Sequence, residues 1–303
     1  MTSTAAPFQP LRGRLKANVP LAPRSWFRTG GQADWLFVPQ DEEDLATALQ
    51  QSPPDMPLTV LGACSNVIIR DGGLAGLTLR LAGGFAQIEA DGDGLIAGAA
   101  ALDSSVAEAA ARAGMAGFAF LSTIPGSIGG AVRMNAGAYE GDMASLLDWV
   151  EILTREGTYQ RLPAAHLHMG YRHTTLPDGA IILRARLKAQ GAEDPALIQE
   201  AMHIMRAKRE ASQPLRARTG GSTFRNPEGH KAWELIDAAG CRGLRHGGAQ
   251  ISEKHCNFML NTGHATSTEL EDLGEMVRAR VLAQSGIELQ WEIKRLGRLS
   301  HPA

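Results

Sequence analysis

LSTIPGSIGGAVRMNAGAYEGD, residues 121–142, is the stretch of this sequence that decides the fold. Small residues dominate it, namely Gly126, Ser127, Gly129, Gly130, Ala131, Ala136, Gly137, Ala138 and Gly141. Small residues let the backbone approach a flat or charged group closely, and they expose N–H donors. The composition therefore predicts the bed of a large cofactor.

The alternative is an ordinary glycine-rich loop on the surface. Five bulky apolar residues are spaced through the stretch: Leu121, Ile124, Ile128, Val132 and Met134. A solvated linker does not need them, so the spacing favours a packed segment with an open face.

Composition narrows the class of protein. The chain has 303 residues and a formal net charge of −2, which allows two or three domains and does not indicate a nucleic-acid-binding surface. We expect no signal peptide and no membrane span. Three widely separated cysteines (Cys64, Cys241 and Cys256) indicate neither a disulfide framework nor a zinc ribbon, so a reduced, cytoplasmic protein is expected.

The N-terminal third predicts an irregular arm over residues 1–25 and then a β-α-β-β unit. Strands are expected at 35–38, 58–61, 67–69 and 77–81, with a helix at 41–51. The loop 62–66, GACSN, follows the inner strand, a position that suits anion binding by backbone N–H groups.

The middle of the chain predicts a hairpin over 85–98 that turns at Asp91–Gly94. The turn matches G-x-G-x-x-A but precedes a strand instead of opening a helix, so we do not interpret it as a dinucleotide-binding motif. A helix capped by Asp103 or Ser104 should follow, then strands at 149–153, 158–162 and 180–187 and a helix at 195–211.

The C-terminal part carries clear helix signals. We expect a helix over 231–239 and a strand around 258–260. Thr266 and Glu269 form a capping-box pattern for a helix that should run to Ser285 and end at Gly286. The alternation in 287–296 predicts a final strand with Glu292 inside it.

Three polar residues are candidates for chemistry. Ser222 follows two glycines, Arg172 lies beside Tyr171, and Glu292 interrupts an apolar strand pattern. Each has an ordinary alternative: a turn serine, a surface arginine and a solvent-facing carboxylate. His166, His168 and His173 have a spacing that a metal site can use, but no carboxylate or cysteine pattern accompanies them, so no metal is expected.

Four blocks of sequence together resemble one family. They are FRTGG; LGACSNVIIRDGG; GFAFLSTIPGSIGGAVRMNAGAYEGD followed by the YR of Arg172; and GGSTFRNP through GGAQISEKHCNF to LQWEIKRLG. In this order they are similar to the UDP-N-acetylenolpyruvoylglucosamine reductases over about 26–297. The short distance from Arg172 to Ser222 resembles the second type of that family, which lacks an extra substrate-covering segment.

The resemblance implies an α+β fold: a two-lobed FAD-binding region of the vanillyl-alcohol-oxidase type and a C-terminal α/β substrate domain. The implied boundaries are 1–80 and 81–210 for the lobes, 211–286 for the substrate domain, and 287–303 for a strand returning towards the flavin.

The resemblance also implies the ligands. FAD would lie between the lobes, NADPH would be the co-substrate, and UDP-N-acetylglucosamine enolpyruvate would be reduced to UDP-N-acetylmuramate. The implied FAD contacts are Gly62, Ala63, Cys64, Ser65, Asn66, Pro125, Gly126, Gly129, Gly130, Asn135, Gly137 and Ala138. No membrane or nucleic-acid partner is implied, and a monomer is expected.

The catalytic positions carry over residue by residue. Ser222 matches the proton donor to the substrate α-carbon, while Arg172 and Glu292 match the pair that polarises the enolpyruvyl carboxylate. Tyr171, Asn226 and Gln250 match substrate contacts. Two rivals remain open: another flavoenzyme of this fold that oxidises an alcohol, and a flavin-binding protein without catalysis.

The sequence departs from the family in three places. Cys64 stands where the phosphate loop has glycine, and it should be strained if that position needs a positive φ. Arg225 replaces lysine, and Gln290 replaces glutamate. The uridine contacts and the choice between NADPH and NADH stay open.

Overall fold

The computed structural model describes residues 8–300. The helices are α1 Glu42–Gln51, α2 Asp103–Arg112, α3 Ile128–Met134, α4 Pro195–Ser212, α5 Ala232–Ala238 and α6 Ser267–Ser285. The strands are β1 Arg14–Pro20, β2 Gln32–Val38, β3 Leu58–Val60, β4 Val67–Ile69, β5 Leu74–Leu79, β6 Ile88–Asp91, β7 Gly94–Gly98, β8 Gly137–Ala138, β9 Gly141–Asp142, β10 Leu147–Leu153, β11 Tyr159–Pro163, β12 Ile181–Lys188, β13 Arg218–Ser222, β14 Arg245–His246, β15 Ala249–Ile251, β16 Phe258–Asn261 and β17 Lys294–Leu296.

The chain forms two compact units. The first comprises the residues up to Lys16, Trp35–Ala63 and Gly76–Ala207, and the second comprises Ala17–Asp34, Cys64–Ala75 and the chain from Lys208 onward. Of the described helices, none is long and apolar enough to cross a bilayer.

The first unit is built on an antiparallel sheet of order β11-β10-β12-β7-β6. The inward side chains of this sheet, such as Val150 and Ile152, are fully buried with α2 and α3 in one core. A second core forms around α1, whose Leu45, Ala48 and Leu49 are buried on the predicted face. A four-stranded sheet has the order β1-β2-β5-β3, with β3 and β5 parallel, and its strands β1, β2 and β5 contain residues of both units.

The second unit is built on a sheet of order β13-β16-β15-β14 with α5 and α6. The predicted capping box is present, since the Thr266 side chain accepts from Glu269 N and the Glu269 carboxylate accepts from Thr266 N. Gly286 ends α6 at φ 71°. The second unit also contains a two-stranded parallel sheet formed by β17 and β4.

Most predicted elements are confirmed, and β6 and β7 do form the hairpin containing G-x-G-x-x-A. Three expectations were wrong. Residues 14–20 form a strand, not an irregular arm. The N-cap of α2 is Leu102, and neither Asp103 nor Ser104 caps it. The final strand begins only at Lys294, because its partner β4 is three residues long, so Glu292 precedes the strand.

Candidate active site

The glycine-rich stretch folds into a turn, α3 and the β8–β9 hairpin of the first unit. Ile128 and Val132 point into the core and are fully buried. A Cβ on Gly129 would lie 3.0 Å from Ala99 Cβ, so this position is closely packed, whereas a Cβ on Gly130 would meet nothing within 4 Å. The short helix therefore has one packed face and one face with open space, as expected for a cofactor bed.

The first part of the GACSN loop lies against this stretch. A Cβ on Gly62 would lie 2.8 Å from Ser127 Oγ. A larger residue at 62 would displace that hydroxyl. Because Ser127 directly precedes α3, the first residue of the predicted anion loop lies at the start of this helix.

The rest of the loop belongs to the second unit. Cys64 has φ 55°, so the condition for strain is met, and the left-handed conformation costs about 1–2 kcal/mol relative to glycine. Asn66 Nδ2 donates to the backbone oxygen of Glu292 at 3.3 Å, and Lys294 N donates to Asn66 O at 3.0 Å. The loop is thereby tied to the segment that carries Glu292.

Asp103 is a buried carboxyl group beside the glycine-rich stretch. It is fully buried, and its two oxygens have no hydrogen-bond partner within the described part of the chain. Burial raises its pKa well above the ordinary value. A Cβ on Gly126 would lie 2.5 Å from Asp103 Oδ2, so a larger residue there would have to displace the carboxyl group. Sequence reasoning interpreted this residue as a cap and missed its burial.

Arg172 lies in a tight turn of the first unit. Gly170 and His173 exchange both backbone hydrogen bonds, and Arg172 has φ 55°. Its Nη2 donates to Gly137 O at 3.0 Å, and its Cζ lies 5.1 Å from the centre of the exposed Tyr171 ring. The guanidinium is thus held by the β8–β9 hairpin.

Ser222 ends β13 in the second unit. The preceding Gly221 has φ 79°, and the pairing of β13 with β16 shifts register between Thr219 and Ser222. A Cβ on Gly220 would lie 2.4 Å from Phe27 Cε2, so Gly220 packs closely against this ring, and the positive φ of Gly221 favours glycine there. Ser222 is half-buried.

Glu292 lies on the segment next to Ser222. Its backbone N donates at 2.9 Å to the oxygen of Thr223, the residue after Ser222. The structure therefore places Ser222 and Glu292 on adjoining backbone segments of the second unit, whereas Arg172 belongs to the first.

The two predicted amide contacts also belong to the second unit. Asn226 Oδ1 accepts from Ala232 N at 3.0 Å, and Gln250 is buried with its Nε2 3.5 Å from Glu253 Oε1. The histidine cluster gains no support: residues 8–300 contain no group of three or more His, Cys, Asp or Glu side chains that could hold a metal ion.

Family models match both parts of the chain. Residues 33–163 match an FAD binding domain, and residues 213–296 match the C-terminal domain of UDP-N-acetylenolpyruvoylglucosamine reductase.

Individual proteins match over nearly the whole length. The chain is similar to two proteins named UDP-N-acetylenolpyruvoylglucosamine reductase. The one from Gluconobacter oxydans is 62% identical, covering 98% of this chain and 97% of that protein. The one from Granulibacter bethesdensis is 59% identical, covering 96% and 93%. The crystal structure of UDP-N-acetylenolpyruvylglucosamine reductase from Thermus caldophilus superposes with a TM-score of 0.81 at 33% identity, covering 95% of this chain and all of that one.

Proposed function

This chain belongs to the UDP-N-acetylenolpyruvoylglucosamine reductase family, and we propose that Arg172, Ser222 and Glu292 are the side chains that act on its substrate. It is an FAD-dependent oxidoreductase of peptidoglycan precursor synthesis. The observation that carries this function is 62% identity over almost all of both chains. NADPH as the electron source is part of the proposal, and its support is the family resemblance.

FAD fits the residues that are present. The open space over Gly130 provides room for a large ligand along small residues, and Gly62 lies close to this stretch. We assign Gly62–Asn66 to the pyrophosphate, and Pro125, Gly126, Gly129, Gly130, Asn135, Gly137 and Ala138 to the bed of the isoalloxazine. When bound and reduced by NADPH, FAD would supply the hydride that is added to the terminal methylene carbon of the enolpyruvyl group.

Arg172 and Glu292 are assigned to the charge that develops on the substrate. Hydride addition at the methylene carbon makes the α-carbon and its carboxylate more negative. A guanidinium already fixed by Gly137 O needs little reorganisation to stabilise that charge. Loss of such a group typically lowers turnover on the order of 100- to 1000-fold. Glu292, on the segment next to Ser222, is assigned together with Arg172 to the enolpyruvyl group.

Ser222 is assigned as the proton donor to the α-carbon. A serine hydroxyl is a weak acid, so it can protonate only a strongly basic centre such as an enolate carbon. Its half-buried position after the Gly220–Gly221 bend keeps the hydroxyl accessible to a ligand. Tyr171, Asn226 and Gln250 are assigned to substrate binding.

The proposal also covers where the enzyme is located in the cell and how many chains it contains. A cytoplasmic monomer fits an enzyme whose substrate and co-substrate are both nucleotides made in the cytoplasm. Light scattering should give a mass close to 32.3 kDa.

The test follows the flavin spectrum of the purified protein without oxygen. NADPH should bleach the flavin bands, and the enolpyruvyl sugar nucleotide should restore them. Ser222→Ala should keep the bleaching and slow the recovery about 100- to 10,000-fold, the usual contribution of a positioned acid.

The control is Ser212→Ala, which removes a hydroxyl bonded only to carbonyls of its own helix and should behave as the wild type. Normal recovery in Ser222→Ala rejects the proton-donor role. A flavin that NADPH does not reduce but NADH does rejects NADPH as the electron source, and a flavin that neither reduces supports the rival of a binding protein without catalysis. Reduction by an alcohol and reoxidation by oxygen would support the oxidase rival.

A further inference from the structure

Asn135 is a buried amide at the C-terminus of α3. It is 3% exposed and adopts the left-handed conformation, with φ 40°. Its Oδ1 accepts from Ala144 N at 2.9 Å, and its Nδ2 donates to Asp142 Oδ2 at 3.1 Å and to Gly170 O at 2.9 Å. The acceptor oxygen and both amide hydrogens are thereby engaged by the protein itself.

These bonds join three segments of the first unit. They are the end of α3, the β8–β9 hairpin and the 170–173 turn. Arg172 adds a link of its own, since its Nη2 bonds to Gly137 O in the hairpin at 3.0 Å. Thr174 Oγ1 donates to Val132 O at 2.6 Å on the other side of the turn. The turn that carries Arg172 is therefore held on α3 and on the hairpin together.

The held turn is strained. Arg172 has φ 55° and His168, shortly before it, has φ 40°, a region that costs non-glycine residues free energy. Such a conformation persists only where surrounding bonds stabilise it. The bond from Asn135 to Gly170 O, at the first residue of the turn, is one of these.

We infer that Asn135 is a positioning residue for Arg172: its amide fixes the 170–173 turn and the hairpin so that the guanidinium is aimed at the substrate carboxylate. This inference rests on the catalytic role proposed above for Arg172. A displacement of about 1 Å at a reacting group can lower the rate on the order of 100-fold. The residue type is restricted, because asparagine tolerates the left-handed conformation and also supplies two donors and an acceptor.

The test is a double-mutant cycle between Asn135→Gly and Arg172→Ala. Glycine keeps the left-handed backbone and removes the amide. In a single turnover without oxygen, Asn135→Gly should slow the recovery of the flavin bands by the enolpyruvyl sugar nucleotide by about 10- to 100-fold. Bleaching by NADPH should slow less than recovery does, and the same change should slow recovery by less than about a further twofold in the Arg172→Ala background.

Asn18→Gly is the matched control. Asn18 is exposed and has φ 53°, so the backbone change is the same without loss of a buried amide, and its kinetics should equal the wild type. If Asn135→Gly does not fold, the same cycle is run with Asn135→Asp, which keeps the shape and places an oxygen against Asp142. Adding Asp142→Asn should then restore part of the rate, because an amide again faces a carboxylate.

Two outcomes overturn the inference in distinguishable ways. Equal slowing by Asn135→Gly in both backgrounds, or equal slowing of bleaching and recovery, shows that Asn135 does not act through Arg172. Unchanged recovery in Arg172→Ala rejects the catalytic role of Arg172 itself and, with it, the positioning role of Asn135.

Discussion

Asp103 is a single carboxyl group that folding removes completely from water. Burial raises its pKa in the folded state, so folding takes up a proton above pH 3.8, the ordinary value. The free energy of unfolding should therefore fall as the pH rises from about 3.8 through the raised folded pKa. Asp103→Asn has nearly the same shape and cannot ionise. We expect its stability relative to the wild type, measured by urea unfolding, to increase with pH above about 3.8 until the raised folded-state pKa is passed.

Ser212→Ala is the control for this prediction, because it changes an exposed side chain that does not titrate. Its stability difference from the wild type should not change over the same pH range. Parallel pH profiles for Asp103→Asn and the wild type would contradict a carboxyl group that is neutral in the folded protein.

The backbone conformation of Cys64 could be predicted from the sequence. Comparison with the family indicated a glycine position, and the structure gives Cys64 φ 55°. The need for a positive φ follows from the local backbone, so a family pattern can predict it. The burial of Asp103 follows from packing against Gly126, which lies 23 residues away in sequence, and no local pattern predicts it.

The β8–β9 hairpin is the element where backbone strain is concentrated. Its two turn residues, Tyr139 and Glu140, have φ 50° and 68°. Two-residue hairpin turns with both φ values positive favour glycine at the second position. Glu140→Gly should raise the free energy of unfolding by about 0.5–1 kcal/mol, the relief of left-handed strain less the added freedom of the unfolded glycine. Urea unfolding measures it.

Glu140→Ala is the matched comparison, because it removes the same exposed side chain and keeps the strain. It should not stabilise the protein. A stabilisation of equal size in both variants would mean that charge, not backbone conformation, is responsible.

Elements with local signals were predicted well. The capping box of α6 and its C-terminal Gly286 depend on residues within one turn of the helix ends, so sequence spacing suffices. Strand β1 was missed and β17 was predicted too long. A strand needs a partner, and only the fold shows that β2 lies beside β1 and that β4 offers three residues to β17.

The stability of the whole folded protein should depend on the concentration of free FAD. A ligand that binds only the folded state stabilises it by about 2.7 kcal/mol at a free concentration 100 times its Kd. Added FAD should raise the thermal midpoint of flavin-free protein by several degrees in proportion to the logarithm of its concentration. FMN, which lacks the adenylate half and the pyrophosphate, should raise it less because the 62–66 loop is left without its ligand.

Scanning fluorimetry with the two flavins checks this prediction. If equal molar concentrations of FMN and FAD raised the thermal midpoint by the same amount, the 62–66 loop would not be binding the pyrophosphate. No shift with either would contradict the assigned bed itself.

The division of the chain into units also belongs to this scale. The two units are formed from six consecutive segments, so the chain passes between them five times. The contiguous boundaries at residues 80, 210 and 286 remain predictions. A compact unit is defined by contacts between segments that are distant along the chain. No local sequence signal therefore marks the points where the chain passes from one unit to the other.

The sequence by itself determined the family, the FAD-binding region and the three candidate catalytic residues, because glycine positions, caps and long motif blocks are local properties of the chain. Tertiary structure alone decided which groups surround those residues. It buried Asp103 against Gly126, engaged the Asn135 amide with Asp142, Ala144 and Gly170, and attached Arg172 to Gly137. Hydrogen bonds and burial depend on distances in space, and those distances exist only after the chain has folded.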